Sequence, residues 1–268
     1  MRDGTATGAE NQADLDLLVS AAREAGKLAM SYYGQDPKTW FKGNKSPVSE
    51  ADMAVDQMLA RTLRSERPAY GWLSEETADD KSRLAARRTF VADPIDGTRA
   101  FLAGGDEWTI ALAVVDAGRP VSAAVFCPVR EEMFCAVEHG GATLNGVPVQ
   151  ASSQVSVAGA RLSGPHSVVA NKQIAAAGFE RTDNIRSLAY RLALVAAGRV
   201  DVAVARSGPS DWDLAAADLL VQEAGGALTD LVGRQRLYNQ PETRHPALVA
   251  GPRNLLDAAR TVISGIVE

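Results

Sequence analysis

Asp93-Pro94-Ile95-Asp96-Gly97-Thr98 decides how this chain is read. The apolar run Phe90-Val91-Ala92 leads into it and Phe101-Leu102 follows, which predicts a strand ending in a turn that opens a short helix. Two carboxylates three residues apart, with a carbonyl between them, make a compact all-oxygen site for a hard cation such as Mg²⁺. Gly97 lets the backbone approach a ligand closely, and Thr98 adds a hydroxyl at a helix N-terminus, where anions bind well. A Pro-Asp-Gly turn with surface acids would use the same residues. The rest of the chain has to separate the two.

Working outward, Glu75 and Glu76 follow the short apolar strand end Trp72-Leu73-Ser74. Adjacent side chains on a strand point to opposite faces, so only one acid can enter a given site. Glu75 is the candidate, with Glu76 in its surroundings or at the surface. Ser49-x-x-Asp52 has the form of a capping box. Helical phase adds a second role, because Val55, Leu59 and Thr62 lie on the face of Asp52 and turn that carboxylate toward the body of the protein. Asp213 begins a later helix, with Ala216, Ala217 and Leu220 on its inward face. An acid there also stabilises the helix dipole, but Pro209 and Trp212 beside it fix its direction.

Asp52, Glu75, Asp93, Asp96 and Asp213 thus stand at element ends. Clustering them without cations is unfavourable, since like charges raise each other's pKa. Two or three Mg²⁺ ions make such a cluster coherent. A site of that kind clamps the attacking and leaving oxygens of a phosphate ester and lowers the pKa of a water. It needs neither a catalytic histidine nor a cysteine.

At 268 residues the chain is long enough for one large domain or two closely joined halves. Pattern divides it into an α+β half, residues 1–152, and an α/β half, residues 153–268. In the first half, 109–115, 121–126 and 133–137 read as an antiparallel meander, with Asn145-Gly146 as a tight hairpin turn. Helices are expected over 14–33, from Ser49, and over 187–197, 212–224 and about 252–262, with strands over 200–205, 227–229 and 247–250. Trp40 to Pro47 reads as a strand edge and a mobile lysine-bearing loop, and Asp79 to Arg88 as a solvated loop with a short helix.

The net charge of −5 offers no basic field for nucleic acid. No run approaches the roughly 18–20 apolar residues of a membrane span, and the polar N-terminus has no signal pattern, so the expected location is cytoplasmic. Cys127 and Cys135 flank a turn that could set them face to face across a hairpin, and they are expected as reduced, half-buried thiols. His139, His166 and His245 show no ligand spacing and read as structural or surface residues.

Glu75-Glu76, Asp93 to Thr98 and Trp212-Asp213-x-Ala215-Ala216 resemble the three signature segments of the inositol monophosphatase-like family, Mg²⁺-dependent and lithium-sensitive phosphomonoesterases. Val48-Ser49-Glu50-Ala51-Asp52 resembles a fourth. The resemblance runs from about residue 14 to residue 250. It implies a layered αβαβα sandwich and a homodimer. It also implies Glu75, Asp93, Asp96, Asp213 and the Ile95 carbonyl as metal ligands, Asp52 and Thr98 as activators of a water, and the amides of Gly97 and Thr98 as phosphate holders.

Arg206 to Asp213 is similar to the 3′(2′),5′-bisphosphate nucleotidase branch, and Arg191 falls where that branch carries a basic residue. Arg191 and Arg206, with Asp213, would then bind the substrate. Two arginines suit a second phosphate, as in adenosine 3′,5′-bisphosphate. Ala100 departs from that branch. The alternatives are inositol 1-monophosphate, histidinol phosphate or another sugar phosphate as substrate, and a regulatory binding role in a transcription complex.

Overall fold

Short β-rich runs separated by glycine- and asparagine-bearing turns build a seven-stranded sheet in the computed structural model, which describes residues 4–42, 46–183 and 185–267. Its strands lie side by side in chain order: Gly71–Ser74, Arg88–Asp96, Thr109–Asp116, Arg119–Cys127, Glu132–Val137, Gly141–Leu144 and Val147–Val149. The first pair is parallel and the rest are antiparallel. Asn145 and Gly146 both take positive φ, at 50° and 80°, as a two-residue hairpin requires.

One face of this sheet is covered by the helices Gly4–Tyr32 and Glu50–Glu66, whose Leu18, Ala22, Val55 and Leu59 bury against Phe90, Ile110 and Leu112. The other face carries Leu188–Ala196 and Asp211–Glu223, where Leu192, Ala216 and Leu220 meet Val91, Ala113 and Val125. The same two helices touch a second sheet through Ala203, Leu228 and Leu248. Every residue from Ala189 to Ala196 is buried, which suits a helix apolar on all sides between two sheets.

The second sheet is mixed, in the order Glu180–Arg181, Arg161–Ser163, Val202–Ala205, Leu248–Pro252, Gly226–Asp230. Its far face packs Leu162, Val204 and Val249 on Val168, Ile174, Leu256 and Ile263 of the outer helices. The layers therefore run helix, sheet, helix, sheet, helix, as the resemblance implied. No helix among the described residues is long and apolar enough to cross a membrane.

Four expectations change. The first helix begins at Gly4 rather than near residue 14. Cys127 lies opposite Glu132 and Cys135 opposite Ala124, so the cysteines do not face each other. Cys127 belongs to the core between the sheets and Cys135 to the outer helix layer, on opposite faces of one sheet. Asp79 to Arg88 is not simply solvated, because Arg83 and Arg88 are each 1% exposed. Arg83 binds Asp79 through two nitrogens and Arg88 binds Asp14 at 2.7 Å, so these charges are buried in pairs. The strand edge of Trp40 becomes a hairpin, Thr39–Lys42 against Ser46–Ser49, and the loop tip 43–45 lies outside the described residues.

Candidate active site

Asp93 and Asp96 are an odd number of residues apart, and on a regular strand they would point to opposite faces. The ladder with Thr109–Asp116 breaks between them: Asp93 pairs with Ala111 and Asp96 with Thr109. Pro94 has no N–H to give to a ladder and sits inside this irregularity. The extra residue turns both carboxylates into one site, where oxygens of Asp93, Asp96 and Asp213 lie within 4.8 Å of one another. Gly97 follows at φ 94°, and a Cβ there would stand 3.2 Å from the Ser187 side chain and 3.3 Å from the Glu107 carbonyl. Only glycine combines that conformation with that closeness.

Asp93, Asp96 and Asp213 each have one oxygen committed to their surroundings, and Asp52 has both. Oδ2 of Asp52 accepts from the Ser49 amide at 2.8 Å and the Ser49 hydroxyl at 2.5 Å. Oδ2 of Asp213 accepts from the Ser210 amide at 2.5 Å. Oδ2 of Asp96 accepts from the Ala189 amide at 2.7 Å and from the Ser187 hydroxyl. Oδ1 of Asp93 accepts from the Ile95 amide at 3.1 Å, while its buried Oδ2 has no hydrogen-bond partner among the described residues. Thr98 Oγ1 lies 3.1 Å from both Oδ1 of Asp52 and the Ile95 carbonyl, linking Asp52 to the pocket.

Glu75 extends the parallel pairing beyond Ser74, its amide donating to Ala92 O at 3.3 Å, and so reaches the same pocket. Lys42 donates to the Glu75 carbonyl at 3.0 Å and pairs with the Glu76 carboxylate, which is 2% exposed. Glu76 is therefore buried against Lys42 rather than at the surface.

Burial, then mutual repulsion, raises the carboxyl pKa values. Glu75 is pushed up to about 8 by burial and by Asp213, and Asp213 to about 7 by burial and by Asp96. Asp93 rises well above its usual value through burial, Glu75 and Asp96. Burial also raises Asp52, and it raises Asp96 against the opposing pull of Ser187 and Ala189. An orphaned carboxylate oxygen among raised acids and a carbonyl is a donor set that fits a hard divalent cation.

The pocket, about 170 Å³, is lined by Glu75, Asp93, Asp96 and Asp213 with Ile95, Gly97, Thr98, Pro47, Arg99 and Arg186, and Asp52 reaches it through Thr98. A larger cleft of about 750 Å³ beside the first helix has only Glu138 as an acid. The smaller hollow is therefore the candidate site.

The two arginines nominated for the substrate are elsewhere. Arg191 is 7% exposed and spends its guanidinium on the carbonyls of Val204 and Ile185, at 2.9 and 2.6 Å. Burial lowers its pKa, and its charge sits behind Asp96 rather than in the pocket. Arg206 is exposed and does not line the pocket. Arg99 and Arg186, which sequence reasoning did not assign to the site, stand at its mouth, Arg186 donating to the Arg99 carbonyl at 3.0 Å. They also wall an adjoining groove of about 430 Å³ with Pro47, Leu102 and Ala103. Ser187, the cap of helix Leu188–Ala196 and a partner of Asp96, was also missed. Its position just before an apolar helix was the available signal.

A layered sandwich in which acids from three segments converge on one pocket, with Asp52 of a fourth joined to it through Thr98, has the architecture of a metal-assisted phosphatase. The Inositol monophosphatase family model matches residues 10–262, and the chain belongs to that family. A Streptomyces griseus protein named glucose-1-phosphate thymidylyltransferase is 35% identical over 85% of this chain and 90% of its own. The inositol-1-monophosphatase of Rhizobium meliloti is 32% identical over 93% and 95%. The Nus factor SuhB of Escherichia coli K12 is 34% identical over 82% and 85%. The Thermotoga maritima IMPase structure superposes with a TM-score of 0.84 at 28% identity, covering 95% of this chain and 98% of that one.

Proposed function

We propose that this phosphatase of the inositol monophosphatase family is a Mg²⁺-dependent phosphomonoesterase that cleaves its substrate by direct in-line attack of water. The observation that carries the reading is the convergence of Asp93, Asp96 and Asp213, with one carboxylate oxygen buried and unpaired. Glu75, Asp93, Asp96, Asp213 and the Ile95 carbonyl would hold two or three Mg²⁺ ions. Bound Mg²⁺ supplies Lewis acidity and lowers the pKa of a water. Thr98 orients the attacking water and passes its proton to Asp52, while the amides of Gly97 and Thr98 hold the phosphoryl oxygens. A water-oxygen bond to phosphorus forms as the ester bond breaks, the leaving oxygen takes a proton from solvent and departs as the alcohol, and no covalent intermediate forms on the protein.

For the substrate, we infer that a second phosphate is recognised, as in a 3′(2′),5′-bisphosphate nucleotidase acting on adenosine 3′,5′-bisphosphate. Support comes from Arg99 and Arg186 on the shared wall of pocket and groove, in place of Arg191 and Arg206. A monophosphate of inositol, histidinol or another sugar is the second reading, favoured by the name of the 32% identical Rhizobium relative.

Specific activities with adenosine 3′,5′-bisphosphate, inositol 1-phosphate, histidinol phosphate and glucose 1-phosphate, with and without Mg²⁺ and Li⁺, test both. Absence of Mg²⁺-dependent hydrolysis on all four would overturn the phosphatase reading. A preference for a monophosphate of about tenfold or more would overturn only the nucleotidase. The relative named a Nus factor adds a regulatory role, tested by whether binding to a transcription complex survives Asp96→Asn. A cytoplasmic homodimer belongs to the same reading, checked by light scattering and fractionation.

A further inference from the structure

Helix Asp211–Glu223 delivers Asp213 to the cluster, and residues 238–245 hold its start. Gly208 donates its amide to the His245 carbonyl at 3.0 Å, His245 donates to Pro209 at 2.8 Å, and Asp211 donates to Thr243 at 3.0 Å. Fully buried Asp211 uses both carboxylate oxygens on the same segment. Oδ1 lies 2.7 Å from His245 Nε2, and Oδ2 accepts from the Asn239 amide at 2.7 Å. Arg236 donates to Nδ1 of His245 at 3.4 Å, which makes Nε2 the protonated nitrogen that donates to Asp211.

Asn239 carries the connection to the other sheet. It adopts φ 55°, its side-chain oxygen accepts from Arg83 at 2.6 Å, and its side-chain nitrogen donates to Thr89 Oγ1 at 3.0 Å. Thr89 lies on the strand that ends in Asp93 and Asp96. A hydrogen-bonded path therefore runs from the strand bearing two acids of the cluster, through Thr89 and Asn239, to Asp211, two residues before the third. The helix already has its cap in Ser210 and Asp213. The bonds at Asp211 exceed what capping needs.

We propose that Asp211, Asn239 and His245 are positioning residues that set Asp213 against Asp93 and Asp96, and that cation affinity depends on them. This rests on the metal reading of the site. Groups that orient metal ligands from behind commonly contribute about 10–100-fold in affinity. Tyr238 provides the internal control. It is on the same segment and donates to Asp218 of the same helix at 2.7 Å, a bond that does not lie on the path.

The experiment is calorimetric titration of the metal-free protein with Mg²⁺ and Mn²⁺, paired with thermal unfolding. His245→Ala and Asn239→Ala are expected to weaken cation binding about tenfold or more. His245→Gln, which keeps a donor for Asp211, is expected to recover most of the loss. Tyr238→Phe is expected to lower the unfolding temperature while affinity stays within about twofold. Wild-type affinity in both alanine variants would overturn the proposal, as would an equal loss in Tyr238→Phe. If His245→Ala does not fold, Asn239→Ala and His245→Gln decide by the same criteria. A wild-type protein that binds neither cation overturns the metal reading itself, whereas cation binding that ignores all four substitutions overturns only the positioning role.

Discussion

Asp52 and Asp213 are held in the same way: each is the third residue of its helix, and each accepts at Oδ2 from the amide of the serine that caps it, Ser49 at 2.8 Å and Ser210 at 2.5 Å. Capping and function are thus not competing roles for these acids. The cap immobilises one oxygen and thereby aims the other. At Asp52 that second oxygen meets Thr98 at 3.1 Å.

Asp52→Asn should therefore lower kcat by about 10²–10⁴-fold, the usual loss when a positioned general base is removed. Mg²⁺ affinity should change by less than about threefold, because Asp52 reaches the pocket through Thr98 rather than as a direct donor. Steady-state kinetics beside cation titration check the split. A large loss of Mg²⁺ affinity would make Asp52 a ligand instead.

Asp96→Asn and Asp213→Asn should remove Mg²⁺-dependent hydrolysis, with a fall in kcat/KM of about 10³-fold or more. The metal-free variants should unfold no lower than wild type, since each substitution removes a buried charge from a group of like charges. Differential scanning fluorimetry in chelator reads this directly. Hydrolysis left intact in either variant would mean that the ligands are misassigned.

The acids also predict how metal-free stability responds to pH. Glu75 moves from a usual 4.5 to about 8, and Asp213 from 3.8 to about 7. The native state therefore holds protons that the unfolded chain has released, and stability falls as pH rises through about 4 to 8. On the proposed reading, saturating Mg²⁺ would take the place of those protons. The increase in unfolding temperature on adding Mg²⁺ should grow across that window, and a constant increment would contradict the shifts.

Gly97→Ala should cost about 1–2 kcal/mol from the left-handed backbone alone. The added methyl would also crowd Ser187 and the Glu107 carbonyl, at 3.2 and 3.3 Å. Denaturant unfolding would show the loss. Activity should fall further than stability does, because Ser187 is a partner of Asp96.

What the chain disclosed in advance was local. The turn at Asp93 to Thr98, the Ser-x-x-Asp start at Asp52 and the meander from residue 109 each follow from spacing within a few residues. The five-layer arrangement came from the resemblance of motifs rather than from periodicity. The arginines expected at the substrate lie away from the pocket, because their placement depends on contacts between distant segments. Arg191 lies in a helix enclosed by two sheets, where its guanidinium donates to the carbonyls of Val204 and Ile185. Arg186 gains its place because Ser187 binds Asp96 and brings the residue before it to the pocket mouth. The cysteines could be placed on neighbouring strands, but not in register, since the strand pairing sets Cys127 against Glu132. Asp211 and His245 are far apart in sequence and carried no spacing signal.

The one-oxygen commitment of Asp93, Asp96 and Asp213 bears on which ion suits the cage. A carboxylate oxygen held by a hydrogen bond keeps a lone pair but is restricted in direction, which disfavours the two-oxygen grip that Ca²⁺ often takes among its six to eight ligands. Mg²⁺ asks for about six oxygens in a tight octahedron and readily keeps waters for the remainder. On the proposed metal reading, the serines and backbone amides that hold these carboxylates would thus set the ionic preference of the site, with Ca²⁺ expected to compete for it without supporting turnover.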